Sequence, residues 1–223
     1  MRDERQQGQL LTSRFLGELT PEQSTAAAAL LEHETGVLAA ATAFGKTVVA
    51  AKMIAARERN TLVLVHRRQL LEQWVARLQS FLDIPPGGLG IVHGGKKKPT
   101  GVIDVALMQS LVRMGVVSDL VANYGHDVVD ECHHLSGVGL EAIGRAAKAK
   151  YVLGLSATVT RKDGHHPIIF MQCGPVRYRV DARKQAASRP FEHKVVFRRT
   201  EFQLPRRQPD EHRRLRGARA RGG

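Results

Sequence analysis

The chain has 223 residues, 43% of them hydrophobic, so it is long enough for one large or two small domains with a buried core. It contains no apolar run long enough to span a bilayer and begins with the polar MRDERQQGQLL, so we expect a cytoplasmic protein that has no membrane partner. Two cysteines are too few for a disulfide scaffold, and a net charge of +13 predicts a polyanionic partner, with nucleic acid favoured over a membrane surface.

Helix and strand signals alternate through the first half of the chain. Thr20 is a suitable N-cap and Pro21 a suitable first helical residue, so a helix is predicted there, with Gly36 as its end. The apolar GVLAAA that follows predicts a short buried strand leading into the sequence GKT. The next predicted elements are an alanine-rich helix from Thr47 to about Arg57, a strand at 61–66 (TLVLVH) and an amphipathic helix at 67–82 (RRQLLEQWVARLQSFL).

The second half repeats this alternation. The predicted strands are LGIVH (89–93), VIDVALM (102–108), HDVVDE (126–131) and YVLGLS (151–156), and helices are predicted near SLVRMG and at 138–148. Short apolar strands that alternate with helices predict an α/β fold with a mostly parallel sheet covered on both faces. We expect residues 1–19 to be an N-terminal extension, 20–182 to be the α/β domain, and 183–223 to form short strands followed by a basic, disordered tail.

The sequence GKT at 45–47 lies between a predicted strand and a predicted helix. Loop amides and a helix N-terminus at such a junction face an anion, so Lys46 can reach the β- and γ-phosphates of a nucleotide and Thr47 can bind Mg²⁺. The P-loop pattern G-x-x-x-x-G-K-[ST] has a glycine where this chain has Ala40, and a lysine that only lies at a helix start is the alternative interpretation. The predicted phosphate cradle comprises Thr42, Ala43, Phe44, Gly45, Lys46, Thr47 and Val48.

Two further polar clusters follow predicted strands. VVDECHH (128–134) contains Asp130 and Glu131, and LGLSATVTRKDG (153–164) contains Ser156 and Thr158. Side chains at the carboxyl ends of parallel strands meet at one edge of a sheet. There Asp130 can hold the hydration shell of Mg²⁺, and Glu131 can orient or deprotonate an attacking water. The short hydroxyl side chains can connect two sites by hydrogen bonds. Each cluster by itself is also compatible with an ordinary turn at a strand end.

The order of these segments carries a family resemblance. ATAFGKT, DECHH and SAT, with LVLVHRRQLLEQW between the first two, resemble motifs I, Ia, II and III of superfamily 2 helicases of the DEAD/DEAH type. GLSATVTRKDG resembles the TATPxRxDG form found in DNA-translocating members of the restriction and repair subgroups. The resemblance covers residues 20–165 and implies a three-layer RecA-like P-loop domain. It also implies ATP and Mg²⁺ as cofactors and nucleic acid, DNA in particular, as the partner.

The same resemblance implies roles for individual residues. Lys46 and Thr47 are expected to bind phosphate and Mg²⁺, and Asp130 and Glu131 to bind Mg²⁺ and activate water. Gln23 matches the residue that reads adenine in many members, although a glutamine in a first helical turn is also ordinary. The implied coupling residues are Ser156, Thr158 and His133. The implied nucleic-acid contacts are His66, Arg67, Arg68, Gln109 and Ser110, for which a solvated helix start or a surface turn is the competing interpretation.

The sequence also departs from the family pattern. Ala41 stands where many members have proline, Ala43 where many have a second glycine, and Val159 where proline usually follows the threonine of motif III. Alanine is tolerated at the loop positions if their φ angles are negative. The resemblance places motifs IV to VI in a second RecA-like domain, for which this sequence leaves no room. We therefore expect a separate chain or a missing segment to supply it, and slow hydrolysis without it, because arginine fingers contribute about 10³–10⁵ in rate.

Three alternative functions remain open from the sequence. Zinc binding is disfavoured because no CxxC or HxxxH spacing occurs, and the residues that would serve are Cys132, His133, His134, His165, His166 and Cys173. A nucleophilic Cys/His enzyme would need a positioned thiolate, which a sequence does not display. The third alternative is a truncated helicase fragment that is catalytically inert and binds nucleic acid by phosphate contacts alone.

Overall fold

The computed structural model describes residues 5–132, 138–157 and 172–180. The helices are α1 (Pro21–Leu31), α2 (Lys46–Arg57), α3 (Arg68–Phe81), α4 (Met108–Leu111) and α5 (Val138–Ala146). The strands are β1 (Thr35–Ala39), β2 (Thr61–Val65), β3 (Leu89–His93), β4 (Lys96–Lys98), β5 (Ile103–Leu107), β6 (Val112–Arg113), β7 (Val116–Val117), β8 (His126–Val129), β9 (Tyr151–Ser156) and β10 (Val176–Arg179). Short 3-10 turns occupy Thr42–Phe44 and Asp119–Asn123.

One eight-stranded sheet runs through the described residues in the order β10-β1-β9-β8-β2-β5-β3-β4. All neighbouring strands pair in parallel except β3 and β4, which are antiparallel. The residues of β2 are all buried, as expected for a parallel strand covered on both faces. The predicted α/β fold with a mostly parallel sheet is therefore confirmed.

Alternating strand residues feed two separate cores. Val63 and Val65 of β2 pack with side chains of α1, α2 and α3 on one face of the sheet, and Trp74 lies in this core. Leu62 and Leu64 point to the other face and pack with residues of α4, α5 and the 119–123 turn. Because side chains alternate along a strand, the two cores give three layers, with helices on both sides of the sheet.

Helix α1 starts as predicted but ends earlier. The Thr20 hydroxyl accepts a hydrogen bond from the Gln23 amide at 3.3 Å, and Gln23 Oε1 accepts one from the Thr20 amide at 2.9 Å, which together form a capping box. The prediction that Gly36 ends this helix is wrong, because the helix ends at Leu31 and Gly36 lies inside β1. A Cβ at Gly36 would lie 2.3 Å from Arg177 Cγ, so glycine is required there by the close approach of β10.

Two β-hairpins were not anticipated from the sequence. Strand β4 is joined to β3 by the glycine pair at 94–95, and β6 pairs with β7 across Met114 and Gly115. The φ angles of Met114 and Gly115 are 50° and 79°, as in a type I′ hairpin turn. The helix predicted near SLVRMG is therefore limited to α4, since these positive φ angles and the β-branched valines favour a hairpin.

The described part of the N-terminal extension lies along the body of the domain. Leu11 is buried in the first core, and its amide donates to the Glu58 carbonyl at 3.0 Å, just after α2. The Leu16 amide donates to the Phe81 carbonyl at 2.8 Å, at the end of α3. No helix among the described residues has the length and apolar character needed to cross a bilayer.

Candidate functional site

The carboxyl ends of five neighbouring strands meet at one edge of the sheet. Because β1, β9, β8, β2 and β5 are parallel and adjacent, the segments that follow them lie side by side. These segments hold the GKT loop, the Asp130-Glu131 pair, His66 and Gln109, and Ser156 is the last residue of β9. Ligands of open parallel sheets bind at this edge, so the fold brings the described motif residues together there.

The GKT loop adopts a conformation that needs only one glycine. Gly45 has φ 86° and ψ 41°, a left-handed conformation that favours glycine. A Cβ at this position would also lie 2.7 Å from Gln23 Nε2. The positive-φ residues other than glycine among those described are Glu58, Met114 and Glu131, so none lies in the loop at 40–44. Alanines are thus compatible with the backbone where the family pattern has glycine or proline.

The Lys46 ammonium lies between the loop and the acidic end of β8. Lys46 is only 6% exposed, and its Nζ donates to the Ala40 carbonyl at 3.1 Å. The same Nζ lies 3.5 Å from Glu131 Oε1. A buried lysine is retained where its charge is balanced, and here a carbonyl and a carboxylate balance it at the start of α2.

The Asp130 carboxylate is held by two donors. Trp74 Nε1 on α3 donates to Asp130 Oδ2 at 2.7 Å, and the Glu131 amide donates to Asp130 Oδ1 at 3.0 Å. Burial raises the pKa of Asp130 above its usual value, whereas the hydrogen bond from Trp74 lowers it. Glu131 has φ 48°, so the backbone turns sharply at the second carboxylate and directs it toward Lys46.

Trp74 is a site residue that sequence reasoning missed. The helical pattern placed it on the apolar face of the helix and assigned it no polar role. A buried tryptophan usually finds a hydrogen-bond partner for its N–H, and Trp74 is the only tryptophan of the chain. That need for a partner was the available signal, but the partner lies 56 residues away, directly after β8.

A cleft of about 790 Å³ opens over the loop. Its lining residues from the loop and α2 are Thr42, Gly45, Lys46, Thr47 and Val48; those from the end of β8 are Asp130 and Glu131; and those from α3 include Gln73, Trp74 and Arg77. Three predicted nucleotide contacts do not line it. Ala43 is exposed outside the lining and Phe44 is buried in the core. Gln23 donates through Nε2 to the Phe44 carbonyl at 2.7 Å, so it supports the main chain of the loop.

The strand that carries Ser156 is joined to the loop through the main chain. Ala39 and Ser156 are paired between β1 and β9, and the Ala40 amide donates to the Ser156 carbonyl at 2.9 Å. Ser156 is 1% exposed. The other two residues predicted to couple the sites, Thr158 and His133, lie outside the described residues.

The predicted nucleic-acid residues lie further along the same edge. Arg67 and Arg68 are exposed at the start of α3, and His66 is half-buried. Gln109 Nε2 donates to the His66 carbonyl at 3.0 Å, which ties the end of β5 to the end of β2. Ser110 Oγ accepts a hydrogen bond from the Gly94 amide at 2.9 Å, so this hydroxyl fastens the β3–β4 turn in addition to any external contact.

The described residues give no support to the metal or thiol alternatives. No group of three or more His, Cys, Asp or Glu side chains in the described ranges is arranged to hold a metal ion. Cys132 and Cys173 are buried free thiols, and a hydrogen bond with Cys173 together with burial raises the pKa of Cys132. A reactive thiolate requires the opposite shift. The four histidines proposed as zinc ligands, His133, His134, His165 and His166, lie outside the described residues.

Comparison with known families adds to this geometry. Residues 16–161 match the ResIII family, described as "Type III restriction enzyme, res subunit". The chain belongs to the ResIII family. The matched residues include the GKT loop, the Asp130-Glu131 pair and Ser156, which are the segments that meet at the sheet edge.

Individual proteins similar to this ResIII chain are named as a translocase, a helicase and an ATPase core. The "DNA 3'-5' translocase XPB2" of Sulfurisphaera tokodaii is 30% identical over 178 residues, which are 80% of this chain and 39% of that protein. The UvsW helicase structure from bacteriophage T4 superposes with a TM-score of 0.60 at 18% identity, over 75% of this chain and 62% of that one. The Sulfolobus solfataricus SWI2/SNF2 ATPase core in complex with dsDNA gives a TM-score of 0.57 at 16% identity, over 76% of this chain and 38% of that one.

These matches confirm the predicted family and fold. The ResIII chain is an N-terminal RecA-like domain of the superfamily 2 helicase type, with an α/β RecA-like sheet. The chain spans 39% of the length of the XPB2 translocase. The activity and partners of a whole motor are therefore matters for proposal here.

Proposed function

We propose that this chain is the ATP- and nucleic-acid-binding N-terminal motor domain of a superfamily 2 helicase or translocase. In this role it hydrolyses ATP in a nucleic-acid-stimulated reaction when a second RecA-like domain completes the cleft. The observation that carries the proposal is the approach of Lys46 Nζ to Glu131 Oε1 at 3.5 Å, in a cleft that also holds Asp130 and Thr47. A phosphate-binding cation, a metal-binding pair and a general base are thereby within reach of one ligand.

The residues of the cleft fit a Mg²⁺-bound nucleoside triphosphate. Magnesium prefers oxygen ligands, commonly one or two carboxylates with retained waters, and the Asp130 carboxylate and Thr47 hydroxyl line the same cleft. Bound there, Mg²⁺ would neutralise charge on the phosphates. The amides at the start of α2 and the Lys46 ammonium supply the complementary positive potential for the phosphate chain.

The contacts of Lys46 also suggest how Glu131 becomes available to act on a water molecule. In the structure Lys46 contacts the Ala40 carbonyl and Glu131. Phosphate oxygens would draw the ammonium away from Glu131, because a multiply charged phosphate attracts it more strongly than one carboxylate does. Glu131 would then be able to orient a water and accept its proton. Gln23 would contribute to nucleotide binding by its hydrogen bond to the Phe44 carbonyl, which maintains the conformation of the loop.

The nucleic-acid track is proposed to run along the neighbouring strand ends. Arg67 and Arg68 are exposed there, and they would contact phosphates together with His66, Gln109 and Ser110. The chain's net charge of +13 favours such contacts. DNA is the proposed nucleic acid, which is supported by the similarity to a protein named as a DNA translocase and to an ATPase core solved with dsDNA. The main-chain bond from Ala40 to Ser156 supports Ser156, with Thr158 and His133, as the coupling residues.

Nucleotide binding tests the proposal directly. The wild-type chain should bind ATP in a Mg²⁺-dependent way by isothermal titration calorimetry, and Lys46→Ala should abolish that binding. Lys52→Ala is a matched control, since Lys52 lies on the same helix but does not line the cleft. Absence of ATP binding by the wild type would favour the alternative of nucleotide-independent nucleic-acid binding. Equal binding by Lys46→Ala would refute the assignment of the ATP site to this cleft.

Completion of the motor is a separate part of the proposal. The chain by itself should hydrolyse ATP slowly and separate strands little, because a motor of this type needs a second domain to close the cleft. Single-turnover ATPase assays with and without DNA measure the first point, and a strand-displacement assay measures the second. Robust unwinding by the purified chain would contradict the need for a second domain.

A further inference from the structure

The β6–β7 hairpin presents an apolar tip to solvent. Among the described residues four large apolar side chains are exposed, and two of them, Met114 at 96% and Val116 at 70%, belong to this hairpin. Met114 also has φ 50°, a conformation that costs about 1–2 kcal/mol for a residue with a side chain. An exposed and strained methionine at a hairpin tip has no folding benefit that the described contacts explain.

The stem of the hairpin is firmly attached to the domain. The Ser118 amide donates to the Leu111 carbonyl at 2.8 Å and so closes the base of the hairpin. Val112 and Val117 pack against the second core. The tip is thus held in place by a buried stem, which distinguishes it from a loose surface loop.

The hairpin is continuous with the proposed nucleic-acid edge. It leaves α4, which follows β5 directly and contains Gln109 and Ser110. Arg113, at the end of β6, is exposed and makes no ion pair in the part of the chain that the structure describes. An apolar tip beside an exposed guanidinium complements a polyanion that also offers flat apolar groups, and nucleic acid has this composition.

We propose that the β6–β7 hairpin is a base-contacting element, in which Met114 and Val116 pack against nucleobases and Arg113 contacts the adjacent phosphate. Apolar side chains such as methionine are used as wedges at base steps by other nucleic-acid-binding proteins. This inference rests on the proposed function, since it assumes nucleic acid bound along the same edge. It adds a contact to bases where the other proposed residues contact only the backbone.

Salt dependence separates the two kinds of contact. Each phosphate contact adds about 0.7 (single strand) to 0.9 (duplex) to the slope of log affinity against log salt, because counterions are released. An apolar contact with a base releases none. Arg113→Ala should therefore lower the slope by about one contact, whereas removal of the apolar tip should weaken binding to the same extent at every salt concentration.

The test uses the whole chain and a fluorescein-labelled oligonucleotide, as a single strand and as a duplex. Met114→Gly with Val116→Thr removes the apolar tip while keeping residues suited to a positive φ and to a strand. Fluorescence anisotropy should show about three- to tenfold weaker binding with an unchanged salt slope. Leu10→Ala is the control: Leu10 is 77% exposed and lies beside Arg59, which precedes β2 at the opposite edge of the sheet. It should bind like the wild type.

A base analogue gives a direct readout. In oligonucleotides containing 2-aminopurine, wild-type binding should change the emission of the analogue at one position, and the double variant should lose this change. Equal affinity and emission for the double variant and the wild type would overturn the inference while leaving the proposed function intact. The inference would also be overturned if the double variant lowered the salt slope as much as Arg113→Ala does. If the wild type binds no nucleic acid, both the inference and the proposed nucleic-acid role are wrong, and a protein partner for the tip is then favoured.

Discussion

The hydrogen bond from Trp74 to Asp130 offers a quantitative test of how the cleft is assembled. Trp74→Phe keeps a buried ring but removes the N–H that donates to Asp130 Oδ2 at 2.7 Å. Trp74 is 2% exposed and Asp130 8%, so water has little access to replace the lost donor. A hydrogen bond to a carboxylate contributes about 1.5–3 kcal/mol. Since about 1 kcal/mol shifts Tm by about 2–4 °C in chains of this size, the variant should melt roughly 3–12 °C lower.

Thermal unfolding followed by far-ultraviolet circular dichroism measures this effect. Tryptophan fluorescence is unsuitable, because the variant lacks the chain's only tryptophan. Phe81→Leu is a suitable control, since Phe81 lies on the same helix and lines the same cleft. A double-mutant cycle with Asp130→Ala, which removes the acceptor, isolates the pair. The decreases in Tm of the two single variants should add up to more than the decrease of the double variant. A double variant whose decrease equals that sum would refute the assigned hydrogen bond.

Three further predictions follow from described features of the chain. Gly45→Ala should lower Tm by more than Gly87→Ala. Both glycines have positive φ, but of the two only Gly45 would have a Cβ close to another residue, at 2.7 Å from Gln23 Nε2. Equal decreases in Tm would contradict this reasoning. Burial raises the pKa of Asp127 well above its usual value, and its Oδ1 has no hydrogen-bond partner within the described ranges. Because the unfolded chain loses this proton more readily than the folded chain, the carboxyl lowers the free energy of unfolding progressively as pH rises from about 4 toward its folded-state pKa. Asp127→Asn should accordingly raise Tm relative to wild type more at pH 7.5 than at pH 4.5, and a pH-independent difference would argue against this cause. The emission of Trp74 should change when ATP and Mg²⁺ are added to the wild type, and Lys46→Ala should show no change.

Local sequence patterns predicted the sheet because its strands are governed by local composition. The apolar runs at 61–66, 89–93 and 151–156 became β2, β3 and β9 with little change in their bounds. Both faces of a parallel sheet are buried, so each strand carries its own signal. The N-cap at Thr20 was equally readable, because a capping box depends on residues three positions apart.

The missed features depend on contacts between distant residues or on turn geometry. Nothing near Trp74 in the sequence indicates that its N–H meets Asp130. Gln23, for which adenine recognition stays a prediction, also bonds to its own helix cap and to the Phe44 carbonyl, and the second contact joins residues 21 positions apart. The β6–β7 hairpin escaped prediction because a methionine with positive φ is rare. The proposed roles of Thr158 and His133 stay predictions, since both residues lie outside the described ranges.

The two outer strands of the described sheet have a bearing on how the protein behaves at high concentration. β4 consists of three lysines and β10 carries Arg177 and Arg179, and these strands lie at opposite ends of the strand order. An outer strand has unpaired amides and carbonyls that can join another sheet, and charged residues discourage this association. We therefore expect part of the positive charge of the chain to oppose self-association. Replacing the lysines of β4 by threonine should promote concentration-dependent aggregation even where nucleic-acid affinity is unchanged.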